Sequence, residues 1–188
     1  MIRAEEFFIE QLISNKIISE KEVQIHKFGI ECLVLKLIHC ISYLSIAIYL
    51  NMLTEFIVIG LVLVPLRRNA GGYHAKTKIG CYLFSCCYVL TILLLLKTVT
   101  NHFIWWGAFA LSDIIIFLRS PVDNRNKRLD KTEVQHFRKK SQKILIFVNI
   151  SCFVLILMHL YFIGSLLRCG ICATALLMIF PELKEGLS

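Results

Sequence analysis

Charge is scarce in this sequence, and where it is missing it is missing over long distances. Only 18% of the 188 residues are Asp, Glu, Lys or Arg, against 57% hydrophobic, and the mean hydropathy is +0.69. The runs CYLFSCCYVLTILLLL at 81–96 and ILIFVNISCFVLILMHLYFIG at 144–164 carry no such residue. Soluble domains are roughly 45–50% apolar and interrupt their apolar runs often. Several runs like these in one small chain exclude a soluble core, because too little polar chain remains to cover it. Alternation of apolar and polar residues is also lacking, which excludes a membrane β-barrel. Roughly 17–25 residues of helix cross a bilayer, and 144–164 meets that length. The fold class that remains is an all-α integral membrane protein.

Further absences narrow the chemistry. The eight cysteines lack the paired CxxC spacing of a zinc site. Cys32, Cys40, Cys86, Cys87, Cys152, Cys169 and Cys172 mostly fall within apolar runs, where they act as small hydrophobes. A basic start is missing, since Glu5, Glu6 and Glu10 precede any long apolar core, so no signal peptide is expected. Internal repeats and low-complexity linkers are absent, and residues 1–188 read as a single membrane-embedded domain. The net charge of +8 is gathered into loops between apolar runs, which argues against nucleic acid as a partner.

What is present organises the chain. Ile9, Ile13 and Ile17 recur at helical spacing, with Glu6 and Glu10 off that face, so residues 3–18 read as an amphipathic helix lying on the membrane. It dominates an interfacial region at 1–30. Ser19 and Glu22 have the spacing of a capping box for the next helix. Apolar segments follow near 33–50, 52–66, 81–96, 103–118, 144–163 and 165–180. Six membrane helices are expected within 31–181; four spans plus two re-entrant helices is the close alternative.

The loop 67–80 carries Arg67, Arg68, Lys76 and Lys78 and no acid, and the stretch 119–143 carries nine bases against three acids. The opposite turns, 51–55, 97–102 and one near Gly164, are short and nearly neutral. The positive-inside rule then puts both basic loops, and with six spans both termini, in the cytoplasm.

One polar stretch, RRNAGGYHAKTKIGC at 67–81, stands between apolar runs. Gly71 and Gly72 break the preceding helix and permit conformations other residues resist, and Pro65 helps to end it. His74 then lies in a loop, and Cys81 opens the next helix. On one straight helix the two would be roughly 10.5 Å apart along the axis, beyond the roughly 2.6–3.2 Å that a base and its nucleophile require. A loop that folds back removes that obstacle. Sulfur on the first helical turn meets the positive end of the dipole, and Lys76 and Lys78 add charge, all favouring thiolate. Amide N–H groups of that turn are candidate oxyanion donors. Without further partners a lone His and Cys leave a metal site short of ligands, so no metal or other cofactor is expected. An interfacial histidine beside orientation-setting bases is the plainer reading of the same residues.

This stretch resembles the signature of the AgrB family, membrane endopeptidases of Gram-positive quorum sensing. The resemblance extends to chain length, the N-terminal amphipathic helix, the order of apolar segments, and SPVDNRNKRL at 120–129. Where this chain has Arg128, family members often have proline. The resemblance implies that His74 and Cys81 are a catalytic pair, and that Arg67 and Gly72, with neighbouring Gly71, support activity. It implies a partner too: an AgrD-like propeptide with an amphipathic helix, a central cysteine or serine, and an acidic C-terminal tail. Cleavage through a Cys81 thioester and cyclisation to a thiolactone or lactone are the implied chemistry. A homodimer in the cell membrane is the implied assembly.

Residues Arg125, Lys127, Arg128, Lys139 and Lys140 are candidates for contacting the acidic tail. Attraction to anionic lipid, worth about 1 kcal/mol per basic residue near the surface, is the competing reading. Asp113 lies inside an apolar run and must face protein or a wet cavity. It is a candidate third catalytic member, or an internal partner for Lys36 or His39. Those same three residues motivate the alternative of a small transporter or exporter of peptide or ions; a non-enzymatic scaffold is a third reading. His159 and Arg168, near the outer end, are placed to snorkel to the interface.

Overall fold

A computed structural model describes residues 23–73, 75, 77–98, 102–122 and 130–185. The amphipathic stretch 3–18 and the Ser19–Glu22 box lie outside the described residues. Among those described there are six helices: α1 (Val23–Tyr49), α2 (Leu53–Ala70), α3 (Lys78–Thr98), α4 (His102–Arg119), α5 (Lys131–Leu157) and α6 (Tyr161–Glu185). The expected all-α architecture is what the chain adopts. It divides into two compact units, residues 1–46 and 47–188.

In the first unit, helix α1 rises through apolar sequence in which hydroxyls turn inward on the backbone. Ser42 and Ser45 donate to the carbonyls of Ile38 and Ile41, at 2.9 and 2.8 Å. This pairing removes most of the cost of carrying a hydroxyl in an apolar setting.

The second unit begins with a chain reversal. Asn51 takes φ +55°, and the N–H groups of Asn51 and Met52 close onto Ile48 and Ala47 at 3.0 and 2.9 Å. A left-handed residue followed by this bond pair is a Schellman stop, and asparagine tolerates that conformation. Helix α5 stops in the same way: His159 has φ +59°, and Leu160 donates to Leu155 at 2.9 Å.

Placing that second reversal at 158–160 corrects the expected turn near Gly164. Gly164 instead lies on α6, where an added Cβ would come within 3.8 Å of the Leu155 Cβ and 3.9 Å of the Cys152 carbonyl oxygen. A side chain there would meet only ordinary van der Waals contact, so this glycine neither turns the chain nor is required by the packing.

Helix α6 is the centre of this unit and packs against α2, α4 and α5. Ile171, Ala175 and Met178 of α6 join Val62, Leu66 and Ala70 of α2, Ile116 of α4, and Leu145, Val148 and Cys152 of α5 in one buried cluster. Small residues set the spacing, as is common where apolar helices pack without a hydrophobic force between them. At Gly170 a Cβ would stand 2.8 Å from the Val62 Cβ and 3.2 Å from the Ile59 carbonyl oxygen.

Among the described residues, four helices are long and apolar enough to cross a membrane: α1, α3, α5 and the Tyr161–Phe180 part of α6. Helices α2 and α4 have 18 residues each, or roughly 27 Å. Glu55, Arg67 and Arg68 also make α2 more charged than a typical span.

The glycine contacts predict opposite outcomes for two alanine variants. Gly170→Ala overpacks the α2–α6 contact and should cost about 1–3 kcal/mol. Gly107→Ala meets no atom within 4 Å and should be neutral or slightly stabilising. Thermal unfolding of the purified proteins in detergent measures both.

Candidate active site

Helix α2 runs through Pro65 and ends five residues later than the proline suggests. The Asn69 side-chain amide donates to the Pro65 carbonyl at 2.7 Å, which gives that backbone group a local partner. The stop comes at Gly71, with φ +80° and its N–H on the Arg67 carbonyl at 3.1 Å. Residues 71–73, 75 and 77 are not helical, and helix resumes at Lys78. The chain between α2 and α3 is therefore not one straight rod, the arrangement that would have excluded a His74–Cys81 pair.

Two glycines let this turn touch other backbone directly. A Cβ on Gly71 would collide with the carbonyl oxygen of Val122. That close approach is a β-bridge between Gly71 and Val122, with the Val122 N–H on the Ala70 carbonyl at 2.9 Å. The residues that follow α2 and α4 thus meet at Gly71 and Val122. Gly72 has φ +138°, and a Cβ there would stand 3.1 Å from the Leu177 carbonyl oxygen. The same oxygen accepts the Tyr73 N–H at 2.9 Å. It is available because the residue four further along α6 is Pro181, which has no N–H to offer it.

Tyr73 is held on its other side as well. The Arg67 guanidinium donates to the Tyr73 carbonyl at 3.2 Å. The Tyr73 ring meets Phe84 of α3 at 4.7 Å and Phe180 of α6 at 5.6 Å between centroids. Phe84 stacks in turn on Tyr88 at 6.0 Å, and the Tyr88 hydroxyl donates to the Ala173 carbonyl.

Cys81 sits at the end of the first turn of α3 and is half-buried. Thr77 caps that helix: its Oγ1 accepts the Gly80 N–H at 3.1 Å, and its carbonyl accepts the Cys81 N–H at 2.9 Å. Two of the amides expected as oxyanion donors are therefore engaged within the turn. All eight cysteines are free thiols. His74 and Lys76 lie outside the described residues, as do Arg125, Lys127 and Arg128.

The second basic stretch differs from the loop read in the sequence. Helix α5 starts at Lys131, with Asp130 as N-cap and Glu133 completing a capping box. Lys139 and Lys140 are consequently exposed positions on a helix. Arg138 is exposed too, but its guanidinium reaches back to the end of α4. Its Nε donates to the Ser120 carbonyl at 2.9 Å and its Nη2 to the Leu118 carbonyl at 3.3 Å. Gln142 donates to the Phe117 carbonyl at 3.3 Å. These side chains satisfy the last carbonyls of α4, which have no partner within their own helix.

Asp113 accepts a hydrogen bond from the Asn149 amide at 3.0 Å, and that amide also donates to the Leu145 carbonyl at 3.1 Å. The pair opens on a cleft of about 380 Å³ flanked by Ile114, Phe117, Leu118 and Ile146. Its partner is thus a residue of α5 that the sequence offered no reason to choose. Arg168 stacks over the Trp106 ring at 4.1 Å and donates to the Gly164 carbonyl at 3.3 Å.

Of the residues expected at the site, Arg67, Gly71, Gly72 and Cys81 flank or form this turn, and Tyr73, Thr77, Val122 and Leu177, which were not expected, hold it. Thr77 was detectable as an N-cap residue three before Gly80. Val122 and Leu177 act through backbone atoms, which leave no trace in side-chain identity.

Comparison with known proteins points in one direction. The profile of the family AgrB, described as Accessory gene regulator B, matches residues 6–180. A Clostridium perfringens (strain SM101 / Type A) protein named "Putative AgrB-like protein" is 30% identical over 165 residues, covering 78% of this chain and 77% of that protein. "Putative AgrB-like protein 2" of Clostridium perfringens (strain 13 / Type A) is 30% identical over 152 residues, covering 73% and 71%. No solved structure matches.

The glycine geometry predicts a ranking. Gly71→Ala forces a side chain into a left-handed conformation and against a backbone oxygen, and should cost about 1–3 kcal/mol or more. Gly72→Ala is also strained, at φ +138°, but should cost less, because its Cβ would have to push the Leu177 carbonyl by only a few tenths of an ångström. Unfolding in detergent, followed by labelling of newly exposed thiols, gives the order.

Proposed function

Because the chain belongs to the AgrB family, the multi-pass membrane proteins of the accessory gene regulator system, we propose that it is a membrane cysteine endopeptidase. It removes the acidic C-terminal tail of an AgrD-like propeptide and promotes cyclisation of what remains. The observation that carries this reading is the chain path from Gly71 to Cys81. Helix stops, a turn is pinned by backbone contacts, and helix restarts with the thiol on its first turn.

In this reading His74 takes the Cys81 proton and the thiolate attacks the scissile carbonyl. The C–N bond breaks, His74 returns the proton to the leaving amine, and the peptide remains as a thioester on Cys81. The propeptide's own thiol then attacks that carbonyl, Cys81 leaves, and a thiolactone is released. One thioester replaces another, so the exchange is close to energy-neutral and hydrolysis is its competitor. A site at the membrane surface restricts water and holds the internal thiol at high effective concentration.

Arg67 and Gly72 support the site through Tyr73 and Leu177 rather than by touching substrate. Arg125, Lys127, Arg128, Lys139 and Lys140 meet the acidic tail, and the same bases face anionic lipid on the cytoplasmic side. The working unit is a homodimer in the plasma membrane, with both termini inside.

Cys81→Ala should abolish propeptide cleavage while leaving membrane insertion normal, read by mass spectrometry of the propeptide after incubation in lipid vesicles. Full processing by that variant would reject the enzyme reading. Transport lost in Asp113→Asn and kept in Cys81→Ala would favour a transporter instead. Lys139→Gln combined with Lys140→Gln should raise KM several-fold and flatten the salt dependence of cleavage. An unchanged KM would return these lysines to lipid contact alone.

A further inference from the structure

The turn before His74 and the helix that carries Cys81 are joined by a contact that neither residue makes itself. Tyr73 is the neighbour of His74 in sequence, and Phe84 lies three residues after Cys81, on the same side of α3. Their rings meet at 4.7 Å with a 59° tilt. The contact bridges both ends of the segment containing the proposed pair, so it acts as a non-covalent cross-link around it. Closing a short segment in this way reduces the conformations its two reactive residues can explore.

The Tyr73 backbone is fixed independently. Its N–H is on the Leu177 carbonyl at 2.9 Å, and its carbonyl accepts from Arg67 at 3.2 Å. Three elements, α2, α3 and α6, therefore hold one residue, and that residue's carbonyl carbon is bonded to the nitrogen of His74. A side chain serving only to fill space would not require its backbone to be held at both ends.

We propose that Tyr73 is a positioning residue for catalysis, its ring clipped to Phe84 and its backbone held by Leu177 and Arg67, so that His74 meets Cys81. This rests on the catalytic-pair reading above. Pro181 belongs to the same device, since its missing N–H leaves the Leu177 carbonyl for Tyr73.

The test uses the full-length protein in lipid vesicles with two readouts. One is kcat and KM for propeptide cleavage; the other is the rate of Cys81 alkylation by iodoacetamide, followed at that cysteine by peptide mass spectrometry across pH. Tyr73→Leu and Phe84→Leu should each lower kcat by roughly 10- to 100-fold, the scale of a small misplacement of reacting groups. KM should change little, and the alkylation profile should move toward that of His74→Ala. Tyr73→Phe, which keeps the ring contact, should stay closer to wild type than Tyr73→Leu in both readouts. The double variant Tyr73→Leu/Phe84→Leu should lose less than the product of the single losses, because both remove the shared Tyr73–Phe84 contact.

Wild-type kcat and alkylation in Tyr73→Leu, or losses that multiply in the double variant, would overturn the proposal. Should Tyr73→Leu fail to fold, Phe84→Leu decides alone by the same readouts. If His74→Ala itself leaves cleavage and alkylation unchanged, the catalytic pair is wrong and the positioning role falls with it. If His74→Ala changes both and the Tyr73 and Phe84 variants change neither, only the positioning role fails.

Discussion

A single carbonyl, that of Leu177, holds the polar turn between α2 and α3 against the central helix. Within a regular helix it would accept the N–H of the residue four positions on, and here that residue is Pro181. The oxygen instead receives the Tyr73 N–H at 2.9 Å. Gly72 makes the approach possible, because any Cβ there would press on the same oxygen. Gly71 repeats the device one residue earlier against Val122. In a chain bordered by lipid, backbone groups must find partners within the protein. At this end of the unit the helix termini find them in one another.

The same rule explains why α4 and α5 meet as they do. The last carbonyls of α4 are taken by Arg138 and Gln142 of α5, and Ser120 and Ser141 bond each other through their hydroxyls. A residue that counted in the sequence as one more cytoplasmic base is therefore a helix cap. Charge counting treats all bases in a stretch alike, whereas the fold divides them. All three of Arg138, Lys139 and Lys140 are exposed, but the Arg138 guanidinium is bonded to backbone at the end of α4.

The helical membrane architecture was legible because lipid demands it of any long uncharged run. Helix ends were harder. Pro65 suggested a stop where α2 continues to Ala70, since a proline within a packed bundle loses one bond without ending the helix. Gly164 suggested a turn where α6 simply continues, while His159 made the turn. The Asp130 and Glu133 acids read as loop charge, yet they start α5. In each case the local preference was real and its neighbours decided the outcome.

For the proposed site, the residues whose side chains are suited to chemistry or whose absent side chains permit contact could be named from the chain alone: Cys81, Gly71, Gly72 and Arg67. Their types carry the signal, because only a thiol is such a nucleophile and only glycine tolerates those approaches. What holds them was decided by tertiary structure. Val122 and Leu177 act through amide and carbonyl groups common to every residue, so no sequence feature marks them. Tyr73 and Phe84 matter through a ring contact between an ordered turn and a helix, and Asp113 through an amide 36 positions away. Sequence alone determined which groups can react and that the chain belongs in a membrane, since both follow from side-chain chemistry. The arrangement around the thiol came from packing, because it depends on distances between backbones that only the folded chain brings together.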